Sequence, residues 1–157
     1  MDSPTTLMMR ADGVGKLDLV VQPSGAGRGT LAVDTTLSTC ALIALQSDRR
    51  AEADDTLPNA LNLLPAQSEG LLARRGWIGD ILINTRFGSR IWLLERGKYD
   101  ETDRLLAAAY AEESMASIKA WWGVDLSSTV TLAGRNVLAI TTNVGAVSVT
   151  RSVRAVQ

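Results

Sequence analysis

The chain has 157 residues, of which 46% are hydrophobic and 21% charged, with 16 Lys+Arg against 17 Asp+Glu. That is enough sequence for one domain with a sizeable core and a near-neutral surface, which excludes general disorder and argues against a nucleic-acid-binding domain. There is no histidine and only one cysteine, Cys40, so Ser-His and Cys-His catalytic pairs, an internal disulfide and cysteine-rich zinc sites are excluded.

The N-terminal residues Met1 to Arg10 lack a basic n-region and a long apolar run, so they do not read as a signal peptide. The longest strongly apolar stretch, Ala41 to Leu45, falls far short of the ~20 residues that span a bilayer. The chain is expected to be made in, and to stay in, a reducing cytosol unless a larger assembly carries it elsewhere, with no membrane partner. Residues 1–16 are polar and without period and read as a loose arm. Residues 17–157 read as a single domain.

Within it, Asp18 to Val21 is a short strand candidate, and Pro23 to Gly29 a flexible Gly-rich connector. The connector lacks the Gly-Lys-Ser/Thr ending of a phosphate loop. Asp34, Thr35 and Thr36 supply N-cap chemistry, and Leu37, Cys40, Ala41, Ala44 and Leu45 follow at helical spacing. This predicts a helix over about 36–46, with Cys40 a buried small hydrophobe.

Residues 47–70 form a long charged stretch that Pro58 and Pro65 keep from continuous helix. A connection of that length in a compact domain usually has a job. It reads as a solvated loop or as one ordered by a neighbouring subunit, with Arg49, Arg50, Asp54 and Asp55 as candidate contact residues. Gly76 and Gly79 bracket Trp77, and Ile91, Trp92 and Leu93 follow a turn at Gly88. Both tryptophans are expected in the core.

The clearest element begins near Asp100. Glu101 and Asp103 place acid charge at a helix N-terminus. Leu105, Ala108, Ala111, Met115, Ile118 and Trp122 then recur at steps of three and four, and Gly123 ends the helix. The last third is a three-stranded meander: 129–132, 137–142 and 146–153, with turns at 133–136 and 143–145. In the final strand Val147, Val149 and Val153 alternate with Ser148, Thr150 and Ser152. Arg135, Arg151 and Arg154 face no acid from residue 135 onward. The strand is β-prone, basic and at a sheet edge. The cations either guard the edge against aggregation or serve a partner that pairs with it. The whole therefore reads as α+β, two helices packed on an antiparallel sheet of three or more strands.

Catalytic chemistry has little to stand on. Asp80, Glu95, Asp100, Glu112 and Glu113 are the acids nearest aromatic residues. Glu112 and Glu113 read as a solvated helix face, and Asp80 either as partly buried or as an acceptor for Arg86 or Arg90. Asp48, Asp54 and Asp55 lack calcium-loop spacing. No catalytic residue, metal or cofactor is expected.

The order of local motifs resembles the baseplate wedge proteins of Mu-like contractile-tail phages. The resemblance is carried by Leu37-Ser38-Thr39 leading into Ala41 to Leu45, then Ser47-Asp48-Arg49-Arg50-Ala51, and Arg74-Arg75-Gly76-Trp77-Ile78-Gly79-Asp80. Gly88-Ser89-Arg90-Ile91-Trp92-Leu93-Leu94 and Tyr110 to Met115 complete it. It runs from about residue 18 to 153. It implies a non-enzymatic structural protein with a lysozyme-like wedge fold, present as six copies in a ring within the virion tail baseplate, assembled in the host cytoplasm. Its implied partners are other wedge proteins, tube or hub proteins and the tail sheath protein, whose first ring it initiates. Sheath contact would use strand addition, here at Val147, Ser148, Val149, Thr150, Arg151, Ser152, Val153 and Arg154. Many relatives carry Glu-Pro-Arg near the end of the long helix. Glu112-Glu113-Ser114 lies in that region without the proline or arginine, so no role is carried over. The alternative function is a tail-associated peptidoglycan hydrolase.

Overall fold

A computed structural model of the chain describes residues 4–11, 16–58, 74–77, 80, 86–95 and 98–155. Among these the fold is α+β. Strands β1 (Thr6–Leu7), β2 (Met9–Ala11), β3 (Leu17–Leu19), β4 (Val21–Gly25), β5 (Arg28–Leu31) and β6 (Val33–Asp34) precede helix α1 (Ser38–Gln46). A turn of 3-10 helix (Arg90–Leu94), helix α2 (Glu101–Trp122) and strands β7 (Leu126–Gly134), β8 (Val137–Val144) and β9 (Val147–Arg154) complete it.

The three C-terminal strands form an antiparallel sheet in the order β7-β8-β9. α2 lies over β7 and β8, and α1 over β9 and against α2. The core lies between the two layers. It consists of Ala41, Leu42, Ala44 and Leu45 of α1, Ile91 and Leu94, Ala107, Ala111, Met115 and Ile118 of α2, and Val130, Leu138, Ile140, Val144, Val149 and Val153 of the sheet.

Local chemistry explains the helix bounds. The Asp34 carboxylate accepts from Thr39 N at 2.8 Å and from Thr36 N and Oγ1 at 2.7 and 2.6 Å, while Thr36 Oγ1 accepts from Ser38 N. These bonds satisfy amides at the start of α1 that have no intrahelical partner. At α2, Asp100 accepts from Asp103 N and Asp103 returns a bond to Asp100 N, a reciprocal cap. Gly123 ends α2 at φ +62°, a conformation open to glycine at little cost.

Four expectations need correction. Residues 6–11 are paired strands: β1 pairs with β6 and β2 with β3. Strands of two or three residues leave no readable period, and their partners lie up to 28 residues away (Thr6 with Asp34). The Gly-rich segment 23–29 is the body of a β4-β5 hairpin with a bulge between Pro23 and Gly25. Leu105 stands exposed; the buried face of α2 is Ala107, Ala111, Ser114, Met115 and Ile118, whose small residues let the helix approach the sheet. Trp77 is 49% exposed, with an edge contact to Phe87 at 5.9 Å. Trp92, at 2% exposed, is the core anchor.

Candidate interaction site

β9 follows a two-residue turn in which Gly145 adopts φ +59°. In such a hairpin the residues flanking the turn form a hydrogen-bonded pair, and bonded and non-bonded pairs then alternate. Val147, Val149, Arg151 and Val153 therefore direct their backbone groups at β8. Ser148, Thr150 and Ser152 direct theirs away, and no backbone partner takes them among the described residues. The same alternation governs side chains. Val149 and Val153 are buried, Val147 is half-buried, and Ser148, Thr150, Ser152 and Arg154 are exposed.

Arg151 shares the valines' parity and follows them inward. Its guanidinium donates to Leu45 O at 2.5 Å and lies 4.0 Å from Asp48. It thereby satisfies a carbonyl in the last turn of α1, where the helix dipole favours a cation. Burial pulls its pKa down, with Asp48 and Glu95 opposing that shift. Of the two arginines assigned to the edge, only Arg154 is exposed on it.

The other sheet edge differs. On β7 the alternation turns the Val130 backbone outward, and Arg104 Nη1 donates to its carbonyl at 3.4 Å. Arg104 is held by Glu101. A bulge between Leu132 and Gly134 further disrupts that edge.

The charged segment is tied to its own chain. Asp48 bridges Ser89 in parallel, with Ser89 N donating to Ser47 O and Arg49 N to Ser89 O. Ala51 N donates to Arg74 O, and Trp92 Nε1 to Arg49 O at 2.8 Å. Gly88 permits this approach: a Cβ there would stand 2.6 Å from Ser47 O. Arg90 holds Asp55 at 2.9 Å and Glu113 at 2.9 Å, and lies over the Tyr110 ring. Burial would lower the Arg90 pKa, but the two carboxylates outweigh it and raise it. Arg49 reaches Glu113 at 3.4 Å and Glu52 at 3.9 Å. Arg75 lies over Trp92 and pairs with Asp48 and Glu95, each at 2.8 Å. Of the four residues assigned to a partner, Arg49 and Asp55 are thus engaged internally. Arg50 is half-buried with Gly76 backed against it, and Asp54 is exposed. Residues 59–70 of the stretch lie outside the described residues.

Of the acids weighed as catalysts, Glu112 is exposed as expected, whereas Glu113 and Asp80 are placed differently from expectation. Glu113 faces Arg90 and Arg49, not solvent alone. Asp80 accepts from Phe87 N at 3.0 Å, because Arg86 is drawn to Glu52 and Arg90 to Asp55 and Glu113. The Arg86 contact holds the Glu52 carboxyl below its ordinary range despite partial burial. A general acid of a glycosidase requires the opposite shift. Among the described residues no group of three or more His, Cys, Asp or Glu is placed to hold a metal ion. Burial pushes the Cys40 thiol up, and Asp34 adds to the shift, as for a packing side chain.

Sequence reasoning missed Ser89, Arg90 and Arg75 as the residues that organise this face. Arg90 left one signal, a basic residue close to Trp92 in the sequence, but its acids lie 23 and 35 residues away.

A family model for "Phage protein GP46" matches residues 37–150. This comprises helices α1 and α2 and nearly all of the three-stranded sheet. Over 100 residues the chain is 38% identical to baseplate protein gp46 of Escherichia phage Mu, covering 59% of this chain and 62% of that protein. The chain therefore spans somewhat under two thirds of that relative's length. With the match running through α1, the 3-10 turn that carries Trp92, α2 and the meander, the chain belongs to the GP46 family of phage proteins.

Proposed function

We propose that this protein is a structural wedge subunit of a contractile phage-tail baseplate, which joins the baseplate to the first sheath ring and starts sheath assembly. The Mu relative's description as a baseplate protein supports the baseplate part of this reading. The observation that carries the sheath part is the asymmetry of the two sheet edges. β7 is bulged and blocked by Arg104, whereas β9 leaves the backbone groups of Ser148, Thr150 and Ser152 unclaimed among the described residues. A partner strand adding there gains main-chain hydrogen bonds without a required side-chain sequence. Arg154 supplies a cation for an acidic partner segment. Other wedge proteins and tube or hub proteins are the remaining partners, with six copies in a ring, in virions assembled in the host cytoplasm. Exposed Asp54 and half-buried Arg50 are the residues of the charged segment that face a neighbouring baseplate subunit.

Ser148→Pro or Thr150→Pro removes an outward N–H and leaves the β8 ladder intact. Electron microscopy of lysates should show baseplates without sheaths, while circular dichroism of the isolated variant stays at the parent spectrum. Sheathed tails at parental numbers would overturn the strand-addition reading. The alternative hydrolase reading is weakened by the pairing of Asp48, Glu52, Asp55, Glu95 and Glu113 with arginines. Clearing of purified cell walls by the isolated protein, lost in Glu113→Gln, would restore it.

A further inference from the structure

The face of the sheet turned away from the core is built in rows. Register places Ser127, Asn143 and Ser148 side by side across β7, β8 and β9, then Thr129, Thr141 and Thr150, then Thr131, Ala139 and Ser152. None of these residues carries a charge, and none is longer than asparagine. Side-chain bonds already run along two of the rows. Thr141 Oγ1 lies 3.2 Å from Thr150 Oγ1, and Asn143 Nδ2 donates to Ser127 Oγ at 3.3 Å. The rows therefore reach the β9 edge as short, uncharged hydroxyl groups, the kind that pair across strands with their like.

A strand adding at that edge meets nearly the same chemistry at every step. Ser148, Thr150, Ser152 and Arg154 turn their backbone groups outward and their side chains to the open face. In an antiparallel pair each stands directly opposite one partner residue, at about 5.5 Å between Cα atoms. A partner displaced by two residues keeps its faces and still finds Ser or Thr opposite, so neither the backbone nor the hydroxyl rows fix the register. Arg154 breaks this equivalence. It is the only charged side chain that β9 places on the open face. Arg151 lies on the other face, turned to Leu45 O and Asp48.

We propose that Arg154 sets the direction and the register of the strand that joins β9. The partner segment runs antiparallel to β9, as neighbouring strands of this sheet already do, and antiparallel pairing is the more stable per residue. It carries a carboxylate opposite Arg154 and short uncharged residues, Ser or Thr, opposite Ser152, Thr150 and Ser148. Between them it carries apolar residues, on the side of the buried Val149 and Val153. Read from its own N-terminus, such a segment begins with the acid and then alternates apolar and hydroxyl residues. A parallel partner would need the acid at its other end, so one charge selects the direction. A shift by two residues parts the carboxylate from the guanidinium, so the same charge selects the register. This assignment rests on the strand-addition reading of β9.

The test takes the full chain, isotope-labelled for NMR, and two capped heptapeptides of one composition. In the first, aspartate leads and valine and threonine alternate after it. The second is the same sequence reversed. The first should shift the amide signals of Ser148, Thr150 and Ser152 and bind about threefold more tightly than the second, the size of one exposed ion pair. A nitroxide on its aspartate end should broaden the Arg154 amide and spare that of Ser148. Arg154→Glu should cancel the preference, and lysine in place of the leading aspartate should restore it. At about 1 M salt the preference should fade, because an exposed ion pair is screened. Equal binding of the two peptides, or a preference unchanged in Arg154→Glu, overturns the assignment and leaves strand addition standing. A nitroxide effect centred on Ser148 overturns it in favour of a parallel partner. If neither peptide reaches the edge the assignment falls, and the tails of Ser148→Pro particles decide separately whether strand addition falls with it.

Discussion

Two tryptophans separate burial from sequence context. Trp92 is enclosed and its indole N–H satisfies Arg49 O, so Trp92→Ala should cost about 3–5 kcal/mol in urea denaturation. Trp77 keeps half its surface in water, so Trp77→Ala should cost about 0.5–1.5 kcal/mol, the size of its edge contact with Phe87. Equal losses would show that the flanking Gly76, not exposure, sets the cost. Arg90 is the second residue-scale test. Its removal leaves Asp55 and Glu113 partly buried beside each other's charge, and Arg90→Ala should cost about 2–4 kcal/mol. Asp34 provides a pH signature. Burial alone would raise its pKa, but hydrogen bonds from Thr36 and Thr39 outweigh burial and lower it from the ordinary 3.8. A lowered folded-state pKa means stability that is present above 3.8 and lost as pH falls through the lowered value. The gap between the parent and Asp34→Asn should be full at about pH 6 and narrow below about pH 4. A gap constant down to about pH 2 would show that the carboxylate charge does not matter.

At the scale of the element, α2 was legible almost in full because its ends are made by local chemistry. Asp100 and Asp103 reciprocate within three residues, and Gly123 provides the left-handed end. Asp100→Ala should therefore cost about 1 kcal/mol, read as a lower urea midpoint with unchanged slope. The meander was legible for a similar reason. Alternation of Val149 and Val153 with Ser148, Thr150 and Ser152 records one wet face and one dry one. The same alternation already assigned Arg151 to the dry face, and reading it as a solvent cation overlooked that parity. The N-terminal strands show the opposite case. β1 and β6 have two residues each, too few for any period, and their pairing is a long-range event.

For the whole molecule, the segment 47–58 fixes how α1 is joined to the 3-10 turn and α2. Backbone bonds to Ser89 and Arg74, together with Arg90–Asp55 and Arg49–Glu113, fasten it to the 3-10 turn and α2. Hydrogen exchange on the isolated chain should accordingly find the amides of Arg49, Ala51 and Ser89 protected well above those of the β4-β5 ribbon. Exchange of these amides as fast as the ribbon would return the segment to the expectation drawn from its composition, a loop that needs a neighbour to become ordered.

By itself the sequence determined the class of fold, helices α1 and α2 with the Gly123 end of α2, the three C-terminal strands and the kinship with baseplate proteins. Each of these depends on chemistry within a few residues or on a period of burial, and both are written locally. Only the tertiary structure decided which charges meet and which apolar residues stay wet. Arg151 finds Leu45 O across 106 positions and Arg90 finds Asp55 across 35. Trp77 and Leu105 are as apolar by residue type as Trp92, yet they remain exposed because nothing among the described residues covers them. Coverage and pairing depend on how distant elements close upon one another, and no local propensity carries that information.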